Sequence, residues 1–422
     1  MKFPEIAPDR PLGERQVRVL LLLSSLHGGG AERVAVHLLN RLDPARFHVH
    51  MGLLRAAGPY LGEVDPAQLL VAPDGEHLFD FDGSNRAQFR LTKLLRGALA
   101  APRAFRAMIE QTRPDVVLSF LKGTNLITWR ALAGIAMPRP RWIAREGNNV
   151  LAVIREEAPF ALAAHGIARL TAHAYRTADR VLVNASALAE DISADLGLAP
   201  DRVAMIHNPL DIAVIRERAS AVPEALPQRP FLLAAGRLEA QKGHDVLLRA
   251  FAESGAARTH DLVVLGEGSK RTELEVLAAQ LGLVGQVRLP GFVANPFAWM
   301  ARCALFVLPS RWEGMSNALA EAMAAGAPVL AADCDYGPGE IVSHGVSGWL
   351  VPPGDVGALA EGLRTLLGDA GLRRRLAERG SVAVERFALD TIMTRYAGLI
   401  VKVANPSSSV PAPRPLASST RS

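Results

Sequence analysis

Short apolar, β-branched runs recur along the chain, and segments with helical spacing of apolar positions lie between them. The runs predict strands at Val17–Leu26, Phe47–Leu54, Asp115–Phe120, Arg141–Arg145, Arg180–Asn184 and Val203–His207. A second set follows at Phe231–Ala235, Asp261–Leu265, Val287–Leu289, Leu305–Pro309, Pro328–Ala332 and Trp349–Val351. Glu32–Leu42 and Ser186–Leu196 are examples of the helical segments between them. Such alternation calls for parallel, doubly wound sheets, and two sets call for two Rossmann-like domains.

Periodicity stops and prolines gather at "ASAVPEALPQRP", Ala219–Pro230. This sets the expected organisation: a first domain over 15–218, a linker over 219–230 and a second domain over 231–382. A last helix, about Ala383–Val401 and in full 383–403, is expected to pack back towards the first domain. Residues 1–14 and the Pro/Ser-rich 404–422 are expected to be flexible. Two facing α/β sheets leave a cleft at the carboxyl ends of their strands, which is where such sheets bind ligands. Chemistry is therefore sought in the loops just after strands.

Composition narrows the classes. The chain has 422 residues, 49% hydrophobic, 21% charged and only 5% aromatic, which suits helices packed on sheets. The two cysteines, Cys303 and Cys334, exclude a disulfide framework and point to a reducing, cytoplasmic compartment. No apolar run reaches the roughly 18 residues of a spanning helix. "VLLLLSSL", Val19–Leu26, reads as a buried strand rather than a signal core, because a turn and an amphipathic helix follow it. The net charge of +5 permits an anionic partner. No nucleic-acid partner is expected.

Three stretches carry the candidate chemistry. In "SRWEGMSNALAEAMAAGAPVL", Ser310–Leu330, a strand leads into a loop and then a helix from about Asn317 to Ala325. Ser316 or Asn317 can cap that helix and Gly326 can close it. Its open N-terminus is an anion site, flanked by Glu313 before it and Glu321 within it. In "AAGRLEAQKGHDVLLRAF", Ala234–Phe251, Arg237 and Lys242 flank a helix mouth at a strand's carboxyl end. A planar fork and a compact cation suit a diphosphate. In "LHGGGAERV", Leu26–Val34, Gly29 and Gly30 let the backbone approach a ligand closely. Neither the dinucleotide fingerprint nor a P-loop is present. "VVLGEGSKR" adds Glu267 in another post-strand turn, and the backbone at Phe292 and Val293 can meet a nucleobase edge. Glu340, in "DCDYGPGEIV", reads equally well as a ligand contact or as a helix N-terminal acid.

Taken in order, "GRLEAQKG", "LGEGSKRTELE", "VRLPGFVANP", "LFVLPSRWEGMSNALAEAMAAGAPVLAAD", "GPGEIV" and "GVSGWLVPPGD" resemble the second domain of retaining glycosyltransferases of family 4, with the GT-B fold. The match runs from Phe231 to about Leu367. "GGGAERV", "RTADRVLVNASALAEDI" and "VAMIHNPLDI" carry a looser likeness in the first domain. The resemblance implies a nucleotide-sugar donor, a UDP-sugar by preference; no Asp/Asp pair or His cluster calls for a metal, and no other cofactor is expected. It implies that Arg237 and Lys242 hold the diphosphate, that Glu321 binds the ribose, and that Glu313 faces the donor sugar. The backbone of Gly314, Met315, Ser316 and Asn317 would fix sugar and phosphate, with Gly29 and Gly30 closing from the other domain. Glu313, Arg237 and Lys242 are then the catalytic set.

The branch resembled moves a hexose or N-acetylhexosamine to lipid-linked or surface glycans. Many relatives carry a histidine where Phe120 stands here. Lys122, Thr124 and Asn125 are offered in its place on the acceptor side, with Glu146 of "REGNN" facing the acceptor or merely packing at a strand end. Two other readings remain: a nucleotide-sugar epimerase or phosphorylase on the same fold, and a non-catalytic sugar-nucleotide-binding scaffold. Finally, Asn85–Arg113 carries Arg86, Arg90, Lys93, Arg96, Arg103, Arg106 and Arg113 against the single acid Glu110. It reads either as a helix on the sheet with a solvated basic face or as a peripheral contact with the inner face of the cytoplasmic membrane.

Overall fold

The computed structural model describes residues 15–405, except 28, 74–90, 137, 159 and 224, and without the side chains of 91–99, 156 and 157. The N-terminal segment 1–14, the tail beyond residue 405, and Arg86 and Arg90 of the basic stretch lie outside the described residues.

The first sheet contains β1 (Val17–Leu23), β2 (Phe47–Leu53), β3 (Leu69–Val71), β4 (Val116–Phe120), β5 (Arg141–Arg145), β6 (Arg180–Val183) and β7 (Val203–Met205). The second contains β8 (Phe231–Ala235), β9 (Asp261–Leu265), β10 (Val287–Gly291), β11 (Leu305–Leu308), β12 (Val329–Ala332) and β13 (Trp349–Val351). All pairings are parallel, in the orders β3-β2-β1-β4-β5-β6-β7 and β10-β9-β8-β11-β12-β13. Both faces of each sheet are covered, so the central strands are largely apolar; β4, β9, β11 and β12 are buried at every position.

In each sheet the strand order reverses at one place: between β1 and β4 in the first, between β8 and β11 in the second. Crevices open at such switch points. The glycine run follows β1, the Arg237–Lys242 loop follows β8, and the Ser310–Asn317 loop follows β11. Topology alone therefore brings the candidate motifs to two facing crevices.

Helices Gly30–Arg41 and Leu389–Ala404 pack on one face of the first sheet. Helices Leu91–Thr112, Lys122–Leu132, Ala161–Arg176 and Ser186–Leu196 cover the other. The chain thus crosses between domains twice, and the two crossings touch. Leu210 donates its N–H to Phe387 O at 2.9 Å and accepts from Leu389 N at 2.9 Å.

Three elements differ from the sequence reading. β3 went unforeseen, because only Leu70 of its three residues is buried. Helix Ile212–Ala219 joins the second core through Ile212 and Ile215, so the seam falls near Leu210 rather than at 219–230. The last helix begins at Leu389, after a tight turn over Val384–Phe387 that packs in the second domain.

Candidate functional site

The two loops of the second crevice are tied together. Gly243 ends the Arg237–Lys242 loop at φ 63°, and a Cβ there would collide with the Pro309 carbonyl oxygen. Arg311 N donates to Gln241 O at 2.8 Å, and Gln241 Nε2 to Trp312 O at 3.0 Å. At the centre, Lys242 Nζ donates to Glu313 Oε1 at 2.6 Å, and Ser310 Oγ donates to the same oxygen at 2.6 Å. The pair is largely enclosed, with side-chain exposures of 17% and 6%. The residue that the sequence assigns to the diphosphate and the one it assigns to the donor sugar are therefore direct partners. Arg237 is exposed to the crevice and its guanidinium donates to Gln241 Oε1 at 3.5 Å. His244, the first residue of the following helix, is buried with neither ring nitrogen bonded, and burial beside Lys242 lowers its pKa to about 4.

Helix Asn317–Ala324 opens towards the first domain. Ser316 occupies its N-cap position, yet its side chain bonds no helix N–H, and its hydroxyl is enclosed without a partner. The expected side-chain cap is absent, because Asn317 Oδ1 is engaged by Asn208 Nδ2 of the first domain at 2.8 Å. Met315 Sδ likewise accepts from Asn208 N at 3.0 Å. The helix mouth therefore keeps open N–H groups and a free hydroxyl, which is what an anion requires.

Gly29 and Gly30 stand opposite; a Cβ on Gly30 would lie 2.8 Å from Asn317 Nδ2. Gly314 faces Gly147 so closely that a Cβ would overlap the Gly147 carbonyl oxygen. At Gly314 two backbones meet, whereas at Gly30 the close neighbour is the Asn317 side chain. Glu321, one turn deeper, is half-buried. Burial raises its pKa to about 7, against the pull of Arg33 and Arg218. The guanidinium of Arg33 lies 3.7 Å from the Tyr60 ring centre, so an aromatic and a cation close this end of the cleft.

The Glu267 turn packs on the Arg237–Lys242 loop, with Leu238 N donating to Glu267 O at 2.8 Å. Glu267 is exposed and pairs with Arg271 at 2.9 and 3.0 Å. Val293 is half-buried against the second core beside the exposed Phe292. Asn125 is a correction: it is fully enclosed, accepting from Ser119 Oγ at 2.7 Å and donating to Arg145 O and Tyr175 Oη at 3.0 and 2.9 Å. With its amide fully engaged it forms the wall behind the crevice rather than its surface. Glu146 is also buried, bonded by the Tyr175 hydroxyl, and desolvation raises its pKa to about 7 despite that bond and nearby Lys122. Phe120 sits 5.5 Å from the Arg145 guanidinium, which in turn donates to Asn208 Oδ1 at 2.5 Å and Tyr396 Oη at 3.0 Å.

The structure adds residues that sequence reasoning passed over. Glu32 is enclosed near His27, Arg145 and Arg237, and burial raises its pKa. An acid two residues after a glycine run was the available signal. Tyr336, at φ 65°, bonds Asp191 and accepts from Asn149 Nδ2 at 2.7 Å across the cleft. Glu340 reaches across as well, accepting from Ser186 N at 2.5 Å and meeting His207 Nε2 at 2.9 Å. Of the two readings weighed for Glu340, neither named this latch between domains, although it does cap a helix mouth, that of Ser186–Leu196.

Two parallel-sheet Rossmann-like domains facing across a glycine-lined cleft define the GT-B architecture of glycosyltransferases. The chain belongs to that enzyme class by sequence as well: residues 28–214 match the model of Glycosyltransferase Family 4, and residues 216–382 that of Glycosyl transferases group 1. Among curated relatives, it is 27% identical over 367 residues to the Campylobacter jejuni N-acetylgalactosamine-N,N'-diacetylbacillosaminyl-diphospho-undecaprenol 4-alpha-N-acetylgalactosaminyltransferase, covering 87% of this chain and 94% of that one. It is 27% identical over 380 residues to the Rhizobium meliloti lipopolysaccharide core biosynthesis glycosyltransferase LpsE, covering 88% and 96%. Among solved structures, Anabaena HepE in complex with UDP-glucose superposes with a TM-score of 0.73 at 20% identity, over 94% of this chain and all of that one.

Proposed function

We propose that this glycosyltransferase moves a hexose or N-acetylhexosamine, with retention, from a nucleotide-diphosphate sugar to a glycan or polyprenyl-diphosphate-linked acceptor in cell-surface polysaccharide or lipopolysaccharide assembly. The names of the two full-length relatives support the acceptor class, and the UDP-glucose held by the structural neighbour favours a UDP-sugar. The observation that carries the reading is the open helix mouth at Ser316–Asn317, faced by Gly29 and Gly30 and flanked by Lys242 and Arg237.

In this reading the diphosphate lies on the helix mouth, and the unpartnered Ser316 hydroxyl gains a phosphate oxygen. Arg237 and Lys242 neutralise the charge that grows on the leaving phosphate. A cation about 4 Å away contributes roughly 4 kcal/mol at an effective dielectric near 20. Two of them supply much of the ~8 kcal/mol of a million-fold acceleration, so no divalent cation is assigned to the step. Glu321 takes the ribose hydroxyls and Glu313 faces the sugar. The C1–O bond breaks with its electron pair going to the diphosphate. The acceptor oxygen attacks the same face, and its proton passes to the departing phosphate. Lys122 and Glu146 stand at the acceptor end. The enzyme is placed at the inner face of the cytoplasmic membrane, with the exposed Arg103 and Arg113 of the 85–113 stretch as contacts; Arg106 is instead turned inward to Ala131 O, at 3.3 Å.

The test is thermal stabilisation by UDP, GDP, ADP and their sugar conjugates, with and without EDTA, followed by transfer assays on Lys242→Ala. One nucleotide class at 100 times its Kd adds about 2.7 kcal/mol, unaffected by EDTA. Lys242→Ala lowers kcat about 100-fold with a smaller change in donor Kd. Absence of any nucleotide effect overturns the reading, and dependence on a divalent cation overturns its mechanism.

A further inference from the structure

We infer that the turn and helix from Phe160 to Arg176 form an insertion surface for an anionic lipid bilayer. The conclusion starts from four large apolar side chains that the fold leaves uncovered: Phe160, Leu162, Ile167 and Leu170, exposed by 63%, 78%, 36% and 45%. The other exposed large hydrophobic residues among those described are scattered along the chain; these four lie within one short segment. They are not a core face in waiting. Leu162 lies opposite the face of helix Ala161–Arg176 that packs inward through Ala164, Ala168, Thr171 and Tyr175, and Ile167 and Leu170 flank that face. A contiguous outward apolar patch of this kind marks an interaction surface.

Charge decides between occupants. Helix Ala161–Arg176 reads ALAAHGIARLTAHAYR, with two arginines, two histidines and no acid. Arg169, His165, His173 and Arg176 are exposed beside the leucines, and Arg155 is exposed on the preceding helix, whose last residues are Glu156 and Glu157. The neighbouring helices of the same layer add exposed Arg130 and Arg103. A protruding Phe and Leu on a helix that carries cations and no acid complements an anionic lipid surface, where apolar side chains enter the acyl boundary and cations meet the headgroups.

Position gives the patch a purpose. Helix Val150–Glu157 starts at Asn149, whose Oδ1 caps it and whose amide reaches Tyr336 across the cleft. Its eight residues span about 12 Å, so the patch lies a short step from the acceptor end of the cleft. A lipid-linked acceptor could keep its chain in the bilayer while its head enters at Gly147. That purpose rests on the acceptor proposed above; the surface itself does not.

The test is flotation of the full-length protein with phosphatidylcholine vesicles and with equimolar phosphatidylcholine–phosphatidylglycerol vesicles, in the absence of donor and acceptor. The wild type is expected to float with the anionic vesicles, and less so as salt rises. Phe160→Ser/Leu162→Ser/Leu170→Ser should weaken partitioning by about tenfold or more. Arg169→Glu, which keeps the apolar residues, should lose binding to anionic vesicles. UDP-induced thermal shifts, measured on the same samples, should be unchanged in both variants. Equal binding by the triple variant, or no binding by the wild type, overturns the proposal. So does a triple variant that changes only the oligomeric mass, since the patch is then a protein interface. Vesicle binding without any nucleotide shift leaves this proposal standing and removes the donor reading instead.

Discussion

Glu321 shows how a single side chain sets function against stability. Its ordinary pKa of 4.5 rises to about 7 in the fold because a charged carboxylate is desolvated there. A raised acid pKa means that the folded state holds the proton more tightly. Its stabilising effect is complete below about 4.5 and is lost as pH rises through about 7. Glu146 shifts the same way. We therefore expect melting temperature to fall between pH 5 and pH 8. Glu321→Gln should recover about 1–3 kcal/mol at pH 8 and nothing at pH 5. The same substitution should weaken UDP binding at pH 8, because ribose hydroxyls donate best to a carboxylate. Melting curves and calorimetric titrations at both pH values check this. A variant that gains no stability at pH 8 would show that Glu321 is solvated. The positions of Arg237, Lys242, Glu313 and Glu321 were legible in the sequence, because apolar runs mark strand ends and loops follow. The Lys242–Glu313 pairing was not, since 71 residues separate its members. Asn125 looked like a ligand for the same reason: the acceptors of its amide N–H groups, Arg145 and Tyr175, stand 20 and 50 residues on.

At the scale of elements, the site depends on how tightly the loops after β8 and β11 lie together. Gly243→Ala tests this. The left-handed φ of 63° and the Pro309 carbonyl both oppose a side chain. The expected cost is at least about 2 kcal/mol, seen as a lower melting temperature, together with weaker nucleotide binding as Lys242 is displaced. Full stability in this variant would mean that the loops are not coupled. The central strands of both sheets were readable because they are buried apolar runs. β3 was not, since a three-residue edge strand with one buried side chain carries too little pattern. Helix Ile212–Ala219 was legible neither as a helix nor in its allegiance: which core takes Ile212 and Ile215 is a tertiary fact.

At the scale of the whole molecule, the cleft is closed by contacts between residues far apart in sequence. Glu340 holds Ser186 and His207, Tyr336 holds Asp191 and Asn149, and Gly314 rests on Gly147. Gly314→Ala should prop the domains apart without disturbing either core. Small-angle scattering should show no compaction with UDP, and turnover should drop by about tenfold or more at an unchanged melting temperature. Normal compaction and turnover would mean that closure does not bring these loops together. The two crossings at Leu210 and Ala388 mark where such a motion pivots. The second crossing also bears on synthesis. Helix Leu389–Ala404 is the last part of the described chain to be made, yet Ile392, Tyr396 and Ile400 fill the core of the first domain. On the ribosome the first domain must therefore wait, incomplete, while the second emerges and folds. A premature stop after residue 388 would leave the second-domain core intact and cost the cell the first domain, which would never acquire its missing wall.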